Sequence, residues 1–372
     1  MTTAKMSCKF NFSAGPATIS KEVLIKAQSE LLDWNGTGMS VMEMSHRGKE
    51  YAPILQNAEA NFKKLLRVPE NYKVLFLQGG AVTQNFMVPM NLLNGKTASY
   101  VISGYWSKRT FNDAQPFSGI NISASSENIN YVKAPTLASW NFKKSDAYIH
   151  FCLNETVNGV EYFEDPNIDN IRKRNKPIPP IVCDMSSTIL SRPIDVSSYG
   201  VIYAGAQKNI GPAGLTILIV RDDLLDFADK KTPSTLNWKI QSENNSMINT
   251  PATFSIYIAG LVFKWILARG GLEFMEKENV KKASKLYDFI DSSNFYYNSI
   301  DISNRSRMNV PFRITNDDLS GQFVSEAEEN GLYGLKGHRM VGGLRASIYN
   351  AMNIEGVTAL IDFMHRFEKN NK

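Results

Sequence analysis

The feature of this sequence that most restricts its fold is a lysine set between two apolar runs, in YGVIYAGAQKNIGPAGLT (residues 199–216). Residues 201–203 and 215–220 are short and apolar, which is typical of buried strands. Small residues flank Lys208, and the glycine-proline segment 211–214 predicts a tight turn. A lysine amine can form a Schiff base with a carbonyl when its surroundings lower its pKa, whereas the simpler interpretation is a surface lysine in a β-turn.

A second apolar run, residues 179–183, delivers Asp184 at its end. Ligands bind outside the carboxyl ends of strands in open α/β sheets, so Asp184 and Lys208 are expected to meet at one edge of a sheet. A pyridoxal phosphate site needs this pair, because the lysine holds the aldehyde and the carboxylate keeps the pyridine nitrogen protonated. The whole segment DMSSTILSRPIDVSSYGVIYAGAQKNIGPAGLT resembles the phosphoserine aminotransferases, a class-V family of fold-type-I pyridoxal phosphate enzymes.

This resemblance extends from Asn11 to about Asn353 and includes several motifs in the family's order. It implies transfer of an amino group between glutamate and 3-phosphohydroxypyruvate, giving O-phosphoserine and 2-oxoglutarate in serine biosynthesis. Two alternatives stay open. One is another fold-type-I aminotransferase or lyase of small amino acids, and the other is a catalytically silent homologue that only binds pyridoxal phosphate. Neither Cys152 nor Cys183 lies in a polar loop, which argues against a persulfide-forming lyase.

A glycine-rich turn after the apolar run 74–77 is the predicted phosphate site. A strand, two glycines and a helix start can hold a phosphate through backbone N–H groups and the helix dipole, although a simple tight turn has the same pattern. Trp106, at another helix start, could stack on a flat ring or fill the core. The resemblance implies Lys208, Asp184 and Trp106 as catalytic residues, and it implies as cofactor-binding residues Gly80, Ala81, Val82, Trp106, Thr156, Asp184, Ser186, Gln207, Lys208, Asn249 and Thr250.

Asn249 and Thr250 precede a long apolar stretch that is predicted to be a helix. Pro251 suits a first helical position, so Thr250 is the predicted N-cap. In the resembled family, the matching Asn-Thr pair reaches across a homodimer interface to the partner's cofactor phosphate. A residue can cap a helix and also bind the partner's phosphate, so the two interpretations are compatible. The resemblance implies a homodimer.

The substrate should carry an α-carboxylate and a distal phosphate or carboxylate, both of which suit the planar fork of arginine. Two His-Arg pairs lie in glycine-bearing loops, while the same dipeptide at residues 365–366 lies on a terminal helix and has no such context. The resemblance implies that the two pairs bind the distal group and that Arg345 binds the α-carboxylate. The predicted substrate residues are Ser13, His46, Arg47, His338, Arg339 and Arg345.

Apolar runs alternate with helical patterns up to residue 220, which predicts an α/β fold with a mostly parallel sheet. The resemblance implies a fold-type-I transferase with a seven-stranded sheet in a large cofactor-binding domain, residues 17–261. Residues 262–372, with the N-terminal segment 1–16, are the predicted smaller α+β domain. A helix is predicted near residues 168–174, and residues 118–141 show no assignable pattern.

Composition excludes several other classes of protein. The chain is 43% apolar and 21% charged with a formal charge of +5, and no basic run suggests a nucleic-acid partner. Its longest apolar tract, residues 254–268, contains Lys264 and is shorter than a bilayer needs, and no signal-peptide pattern is present. Three cysteines are too few for a disulfide scaffold. We therefore expect a cytoplasmic protein without a membrane partner, with no metal site.

Overall fold

The computed structural model of this chain describes residues 9–165 and 178–372. The helix predicted near residues 168–174 lies outside the described residues. The described strands are β1 (Phe10–Asn11), β2 (Tyr72–Gln78), β3 (Ala98–Ile102), β4 (Ile120–Ser125), β5 (Ile149–Cys152), β6 (Asn154–Glu155), β7 (Val160–Glu161), β8 (Ile181–Asp184), β9 (Val201–Gly205), β10 (Leu215–Arg221), β11 (Tyr296–Tyr297), β12 (Asn309–Ile314), β13 (Leu332–Tyr333) and β14 (Leu344–Ser347).

The main sheet has seven strands in the order β2-β10-β9-β8-β5-β3-β4. β10 runs antiparallel to both of its neighbours, β2 and β9, and the pairs among β9, β8, β5, β3 and β4 are parallel. β10 is antiparallel because it returns directly from β9 through the turn that contains Lys208, as in a hairpin. The predicted seven-stranded, mostly parallel sheet is confirmed.

Helices cover the sheet, and their apolar faces form the core. The described α-helices are α1 (Lys21–Ser29), α2 (Ala52–Leu66), α3 (Gln84–Leu92), α4 (Tyr105–Ala114), α5 (Trp238–Glu243), α6 (Thr253–Ala268), α7 (Gly271–Ser292), α8 (Ser320–Glu329) and α9 (Ile354–Asn371). α6 packs on α2, where Phe263 contacts Phe62 with ring centroids 5.1 Å apart. Within the described ranges no single helix is long and apolar enough to cross a bilayer, and α6 and α7 meet that criterion only as a pair bent by 84°.

Two local predictions differ from the structure. Thr250 is not the N-cap of α6, because the helix begins at Thr253 with Ala252 in the cap position and no side-chain cap bond. The Thr250 carbonyl instead accepts a hydrogen bond from the side-chain amide of Gln78. The segment without an assignable pattern contains β4, an edge strand with half of its residues exposed, so its sequence lacks the apolar run of a buried strand.

A second, smaller core lies in the C-terminal part of the chain. It collects side chains from α7 to α9 around the three-stranded sheet β11-β12-β14, and Phe12 from the N-terminal segment packs into it. Val262 and Phe263 belong to the larger core, together with the first part of α7. The division of the chain into domains at residue 262 stays a prediction.

A buried lysine on α7 stiffens the connection between the smaller core and the Lys208 turn. The Lys282 ammonium donates hydrogen bonds to the carbonyl groups of Ile348, Tyr349 and Met352 at 2.8–3.0 Å. This arrangement uses all three of its N–H donors. Asn350, within the same loop, donates its backbone N–H to Asn209 Oδ1 at 2.9 Å. The residue after Lys208 is therefore fixed by a loop of the smaller core.

Candidate active site

A cavity of about 260 Å³ opens at the carboxyl ends of β5, β8 and β9. This is the edge of an α/β sheet where ligands are expected to bind. The cavity brings together residues that are up to 331 positions apart in the chain (from Ala14 to Arg345). The predicted site residues that line it are Gly80, Ala81, Val82, Trp106, Thr156, Asp184, Ser186, Gln207, Lys208, His338 and Arg345.

Asp184, the last residue of β8, presents its carboxylate to the cavity. The backbone N–H and hydroxyl of Ser186 both donate to Asp184 Oδ1, at 2.8 and 2.6 Å. The Ser186 hydroxyl also accepts from the backbone N–H of Gly205, so the carboxylate is fixed to the end of β9. Burial raises the pKa of Asp184, while the Ser186 hydrogen bonds and the charge of Lys208 lower it. A cation that binds beside this carboxylate would stabilise its charged form.

Lys208 lies in the turn that follows β9. Its amine donates a hydrogen bond to Thr156 Oγ1 at 2.7 Å, and its backbone N–H donates to the Ala206 carbonyl. The pKa of Lys208 is lowered to about 8, because desolvation and the charge of Arg345 lower it by more than the charge of Asp184 raises it. A lysine amine with this pKa is partly neutral at neutral pH, as a nucleophilic amine requires.

We expect cofactor uptake by the apoprotein to depend on pH with a midpoint of about 8, the pKa of Lys208. Only the neutral amine can bond to an aldehyde, so uptake of pyridoxal phosphate should rise as the pH increases through this value. The initial rate of uptake, followed by the absorbance of the lysine-bound cofactor across buffers from about pH 6 to about pH 10, measures the midpoint.

Asp184→Asn provides the comparison for this pH profile. Removing the Asp184 charge should move the midpoint to lower pH, because that charge raises the pKa of Lys208. A midpoint near the ordinary lysine pKa in the unmodified protein, or one that the substitution moves to higher pH, would contradict the electrostatic account.

The glycine turn after β2 leads into a short helical turn, and residues 80–82 of this segment line the cavity. Gly79 has a φ of +99°, in the region that favours glycine, and a short helical turn begins at Ala81. The first N–H groups of a helical turn have no partner within it and can donate to an anion. A Cβ atom at Gly205 would lie 3.2 Å from the Ala81 nitrogen, so this glycine leaves the approach to that N–H open. The donor set fits a phosphate.

Two buried donor atoms on cavity-lining residues have no hydrogen-bond partner among residues 9–165 and 178–372, and the acceptor Asn154 Oδ1 is unpaired in the same way. The two donors are Trp106 Nε1 and Arg345 Nε, and each lies on a residue that lines the cavity. Arg345 donates a long bond from Nη1 to the Thr156 carbonyl, at 3.4 Å, and burial lowers the pKa of its guanidinium. Buried polar groups are normally paired, so unpaired donors facing a cavity indicate that a ligand supplies acceptors. The site therefore fits a flat ring with anionic groups.

The predicted substrate residues divide into two groups. His338 lines the cavity, with its ring centroid 4.7 Å from that of Tyr105, and burial together with the charges of Arg345 and Arg339 lowers its pKa. Arg345 also lines the cavity, whereas Ser13, His46, Arg47 and Arg339 do not, and the roles of all six stay predictions. His46 and Arg47 contact one another through their side chains at 3.3 Å. The others outside the lining are Ser13, Arg339, Asn249 and Thr250, of which the last three are exposed.

Several residues without a predicted role also border the site. Asn85 and Thr110 line the cavity and share a hydrogen bond of 3.1 Å between their side chains. Glu155 lies beneath the wall and contacts the start of α4. Polar residues inside a helix or strand give no local signal, because the same residue types occur on solvated faces, although Glu155 does stand within an Asn-Glu-Thr motif.

Comparisons with known proteins agree with this geometry. The family model described as "Aminotransferase class-V" matches residues 9–360. The phosphoserine aminotransferase of Hahella chejuensis (strain KCTC 2396) is 52% identical over 98% of this chain and 99% of its own. The solved phosphoserine aminotransferase of Bacillus circulans subsp. alkalophilus is 45% identical, with a TM-score of 0.94, covering 98% of this chain and 99% of that one.

A further solved structure relates the cavity to its cofactor. The PLP-bound phosphoserine aminotransferase from Trichomonas vaginalis is 39% identical, with a TM-score of 0.89, over 96% of this chain and all of that one. The family, fold and cofactor predicted from the sequence are therefore confirmed. The chain belongs to the phosphoserine aminotransferases of class V, which are fold-type-I enzymes that use pyridoxal phosphate.

Proposed function

We propose that the protein transfers an amino group between glutamate and 3-phosphohydroxypyruvate, giving O-phosphoserine and 2-oxoglutarate in serine biosynthesis. The observation that carries this proposal is the convergence of Lys208, Asp184 and Arg345 on one cavity, in a chain that is 52% identical to a phosphoserine aminotransferase. A protein that only bound the cofactor would need neither an amine able to carry a proton nor an arginine aimed at the substrate.

The central polar groups of the cavity have a place in this reaction. Lys208 would hold the cofactor aldehyde, Asp184 would hold the protonated ring nitrogen, and the N–H groups of the turn at residues 80–82 would hold the phosphate. When bound, pyridoxal phosphate supplies an electron sink for the negative charge that develops at the substrate's α-carbon. Trp106, which lines the cavity, would cover one face of the ring and exclude water from it.

Lys208 also moves the proton. When its amine is free, Nζ can take the proton from the substrate's α-carbon, because a pKa of about 8 suits both accepting and releasing a proton near neutral pH. Thr156 Oγ1, 2.7 Å away, holds the amine in position meanwhile. Positioned proton transfer of this kind contributes on the order of 10²–10⁴ in rate. One product leaves before the second substrate enters, so ping-pong kinetics follow.

Substrate recognition would rest on Arg345 at one end of the substrate and on His338 and Arg339 at the other. Arg345 is buried with an unpaired Nε, which suits it to a bidentate bond with the α-carboxylate common to both substrates. His338 and Arg339 lie in the glycine-bearing loop 337–343, and the His338 ring contacts that of Tyr105. We propose that they bind the distal phosphate of phosphoserine or the distal carboxylate of glutamate.

We expect Arg345→Ala and Arg339→Ala to affect different substrates. Arg345→Ala should lower kcat/KM about 10- to 100-fold for phosphoserine, glutamate and alanine alike, because all three have an α-carboxylate. Arg339→Ala and His338→Ala should lower kcat/KM mainly for phosphoserine. Half-reactions with each amino acid, followed by the change in cofactor absorbance, measure the three values.

Arg366→Ala is the matched control for these variants, since His365-Arg366 repeats the dipeptide on the exposed side of α9. It should change none of the three rates. Equal losses for phosphoserine and alanine in the His338 and Arg339 variants would contradict their assignment to the distal group.

The most direct test of the proposed function is a coupled assay of the purified protein. Phosphoserine and 2-oxoglutarate should give glutamate, with added pyridoxal phosphate required after cofactor removal. Turnover of alanine or aspartate at rates similar to that of phosphoserine would favour a different aminotransferase. Absence of turnover with any amino acid, despite bound cofactor, would favour a silent homologue.

We also propose that the protein is a homodimer in which Asn249 and Thr250 reach the partner's cofactor phosphate. Both residues are exposed and lie outside the cavity of their own chain, beside the end of β2 that leads into the phosphate turn. Large apolar side chains are exposed on the same chain, among them Leu32, Met42 and Met340. A partner subunit that covered them would remove apolar area from water.

A mixture of two inactive variants tests this arrangement. Lys208→Ala lacks the amine, and the double variant Asn249→Ala, Thr250→Ala lacks the proposed phosphate contacts. If these contacts cross the interface, each mixed dimer has one complete site, and random mixing restores about a quarter of the unmodified activity. If both functions reside in one chain, no mixed dimer has a complete site.

Sedimentation of the unmodified protein and activity after unfolding and refolding the two variants together provide the measurements. A monomer in solution, or refolded mixtures as inactive as the separate variants, would contradict the proposal.

We also place the enzyme in the cytoplasm, where the buried free thiols of Cys152 and Cys183 stay reduced. Cell fractionation checks that location.

A further inference from the structure

The start of α4 supplies one wall of the cavity. Trp106 is the second residue of this helix, and its ring lines the cavity that receives the cofactor. We propose that Glu155 is a positioning residue that fixes Trp106 against the cofactor ring by holding the first turn of α4. The inference rests on the proposed function only in so far as that function requires the cofactor.

The Glu155 carboxylate accepts hydrogen bonds from two consecutive backbone N–H groups. Oε2 accepts from Trp106 N at 2.8 Å, and Oε1 accepts from Ser107 N at 2.9 Å. The Ser103 hydroxyl donates a longer bond to Oε1, at 3.4 Å. Glu155 lies 48 to 49 residues further along the chain, so this is a cap supplied by another element. Its bonds fix the backbone of Trp106 itself rather than a neighbouring turn.

Close packing at the start of α4 leaves no space for a side chain at residue 104. Glu155 is fully buried. A Cβ atom at Gly104 would lie 2.6 Å from the Glu155 side-chain carbons and 2.7 Å from Asn158 Oδ1, so residue 104 must lack a side chain. The Ser107 hydroxyl accepts from the backbone N–H groups of Ser103 and Gly104. The start of α4 is therefore held by the hydroxyl of its own Ser107 and by the carboxylate of Glu155.

Charge explains why a carboxylate serves here. A helix N-terminus has a partial positive charge and unpaired N–H donors, both of which favour an anion. Burial raises the pKa of Glu155, while the bonds from Ser107 and Trp106 lower it. Because Glu155 satisfies these donors, the N-terminus of α4 has no capacity left for a ligand anion. The phosphate is left to the turn at residues 80–82, and α4 contributes its aromatic ring.

The segment around Glu155 serves the rest of the site as well. Thr156, the next residue, accepts the hydrogen bond from the Lys208 amine and accepts at its carbonyl from Arg345. Asn158 Oδ1 accepts from Tyr105 N at 2.8 Å, and the Tyr105 ring contacts His338. The short segment 155–158 thus contacts both the start of α4, which bears Trp106, and the amine of Lys208.

Glu155→Gln tests the proposal with little change in size. One side of the amide is an N–H donor, which would face a backbone N–H donor, so one of the two bonds to α4 is lost. We expect pyridoxal phosphate to bind the apoprotein about tenfold more weakly, as the loss of a buried charge-assisted bond implies. Titration of tryptophan fluorescence with the cofactor measures this affinity without reference to turnover.

A second background separates positioning from general destabilisation. If Glu155 acts through Trp106, then Glu155→Gln should weaken binding far less in a Trp106→Ala protein than in the unmodified one. Asp195→Asn is the control, because Asp195 is an exposed residue that caps another helical turn through Ser197 N and does not line the cavity. It should leave cofactor affinity unchanged. Asn158→Ala, which removes one acceptor from the same helix start, should weaken binding about threefold.

The outcomes are distinct from those of the function assay. Cofactor affinity that is unchanged in both Glu155→Gln and Asn158→Ala would overturn the proposal, and so would an equal loss with and without Trp106. If Glu155→Gln does not fold, Asn158→Ala alone decides. A protein that binds the cofactor in this Glu155-dependent way but fails to use phosphoserine would overturn the proposed function and leave the positioning role standing.

Discussion

Lys208→Ala is expected to abolish transamination while the protein stays folded. The variant loses both the amine that holds the cofactor aldehyde and the base that moves the proton at the α-carbon. The second loss alone costs on the order of 10²–10⁴ in rate, so the half-reaction with phosphoserine should fall by at least about 10⁴-fold when both are lost. The absorbance band of the lysine-bound cofactor should vanish, and stopped-flow absorbance measures the remaining rate.

Lys208→Arg is the control for charge and burial at this position. A guanidinium stays protonated and cannot bond to the aldehyde, so this variant should be as slow as the alanine variant although the positive charge near Asp184 is kept. Added methylamine should restore part of the rate of Lys208→Ala, because it supplies a neutral amine in the vacated space. Turnover at the unmodified rate in either variant would eliminate the mechanism.

The sequence predicted the centre of this site well because its signals are local. An apolar strand that ends in Asp184, and a lysine inside a glycine-rich turn, each occupy a few consecutive residues. Their meeting follows from the parallel order of β8 and β9, which the alternation of strands and helices already indicated. Asp184 and Lys208 line the same cavity in the structure. The Ser186 hydroxyl donates a hydrogen bond to Asp184, and Thr156 accepts one from Lys208.

Contacts between distant segments could not be predicted from the sequence. Nothing near Trp106 shows that its backbone is held by Glu155, because capping normally comes from the residue just before a helix and here comes from about 50 positions away. The prediction of Thr250 as an N-cap was wrong for a related reason. Pro251 fitted the rule for a helix start, but the Thr250 carbonyl pairs with Gln78, a residue of β2, and the helix begins later.

Asp184→Asn should reduce the rate far more than it reduces cofactor affinity. The amide oxygen can still accept from Ser186, and the amide nitrogen can still donate to the ring nitrogen, so the cofactor keeps a hydrogen bond. The amide cannot keep that nitrogen protonated, however, and the ring then accepts electrons poorly. We expect the half-reaction to slow by at least about 10³-fold, because a preorganised charge at developing charge is often the largest catalytic contribution.

Asp146→Asn makes the same change in a buried carboxylate that accepts from the Ser99 hydroxyl, away from the cavity. It should lower the unfolding midpoint in urea yet leave the rate of the folded protein unchanged, which separates the effect of a lost buried charge from the effect on the ring. A rate in Asp184→Asn within tenfold of the unmodified protein would show that the ring does not depend on this anion. The convergence of Asp184 and Lys208 would then be structural, and the proposed chemistry would lose its electron sink.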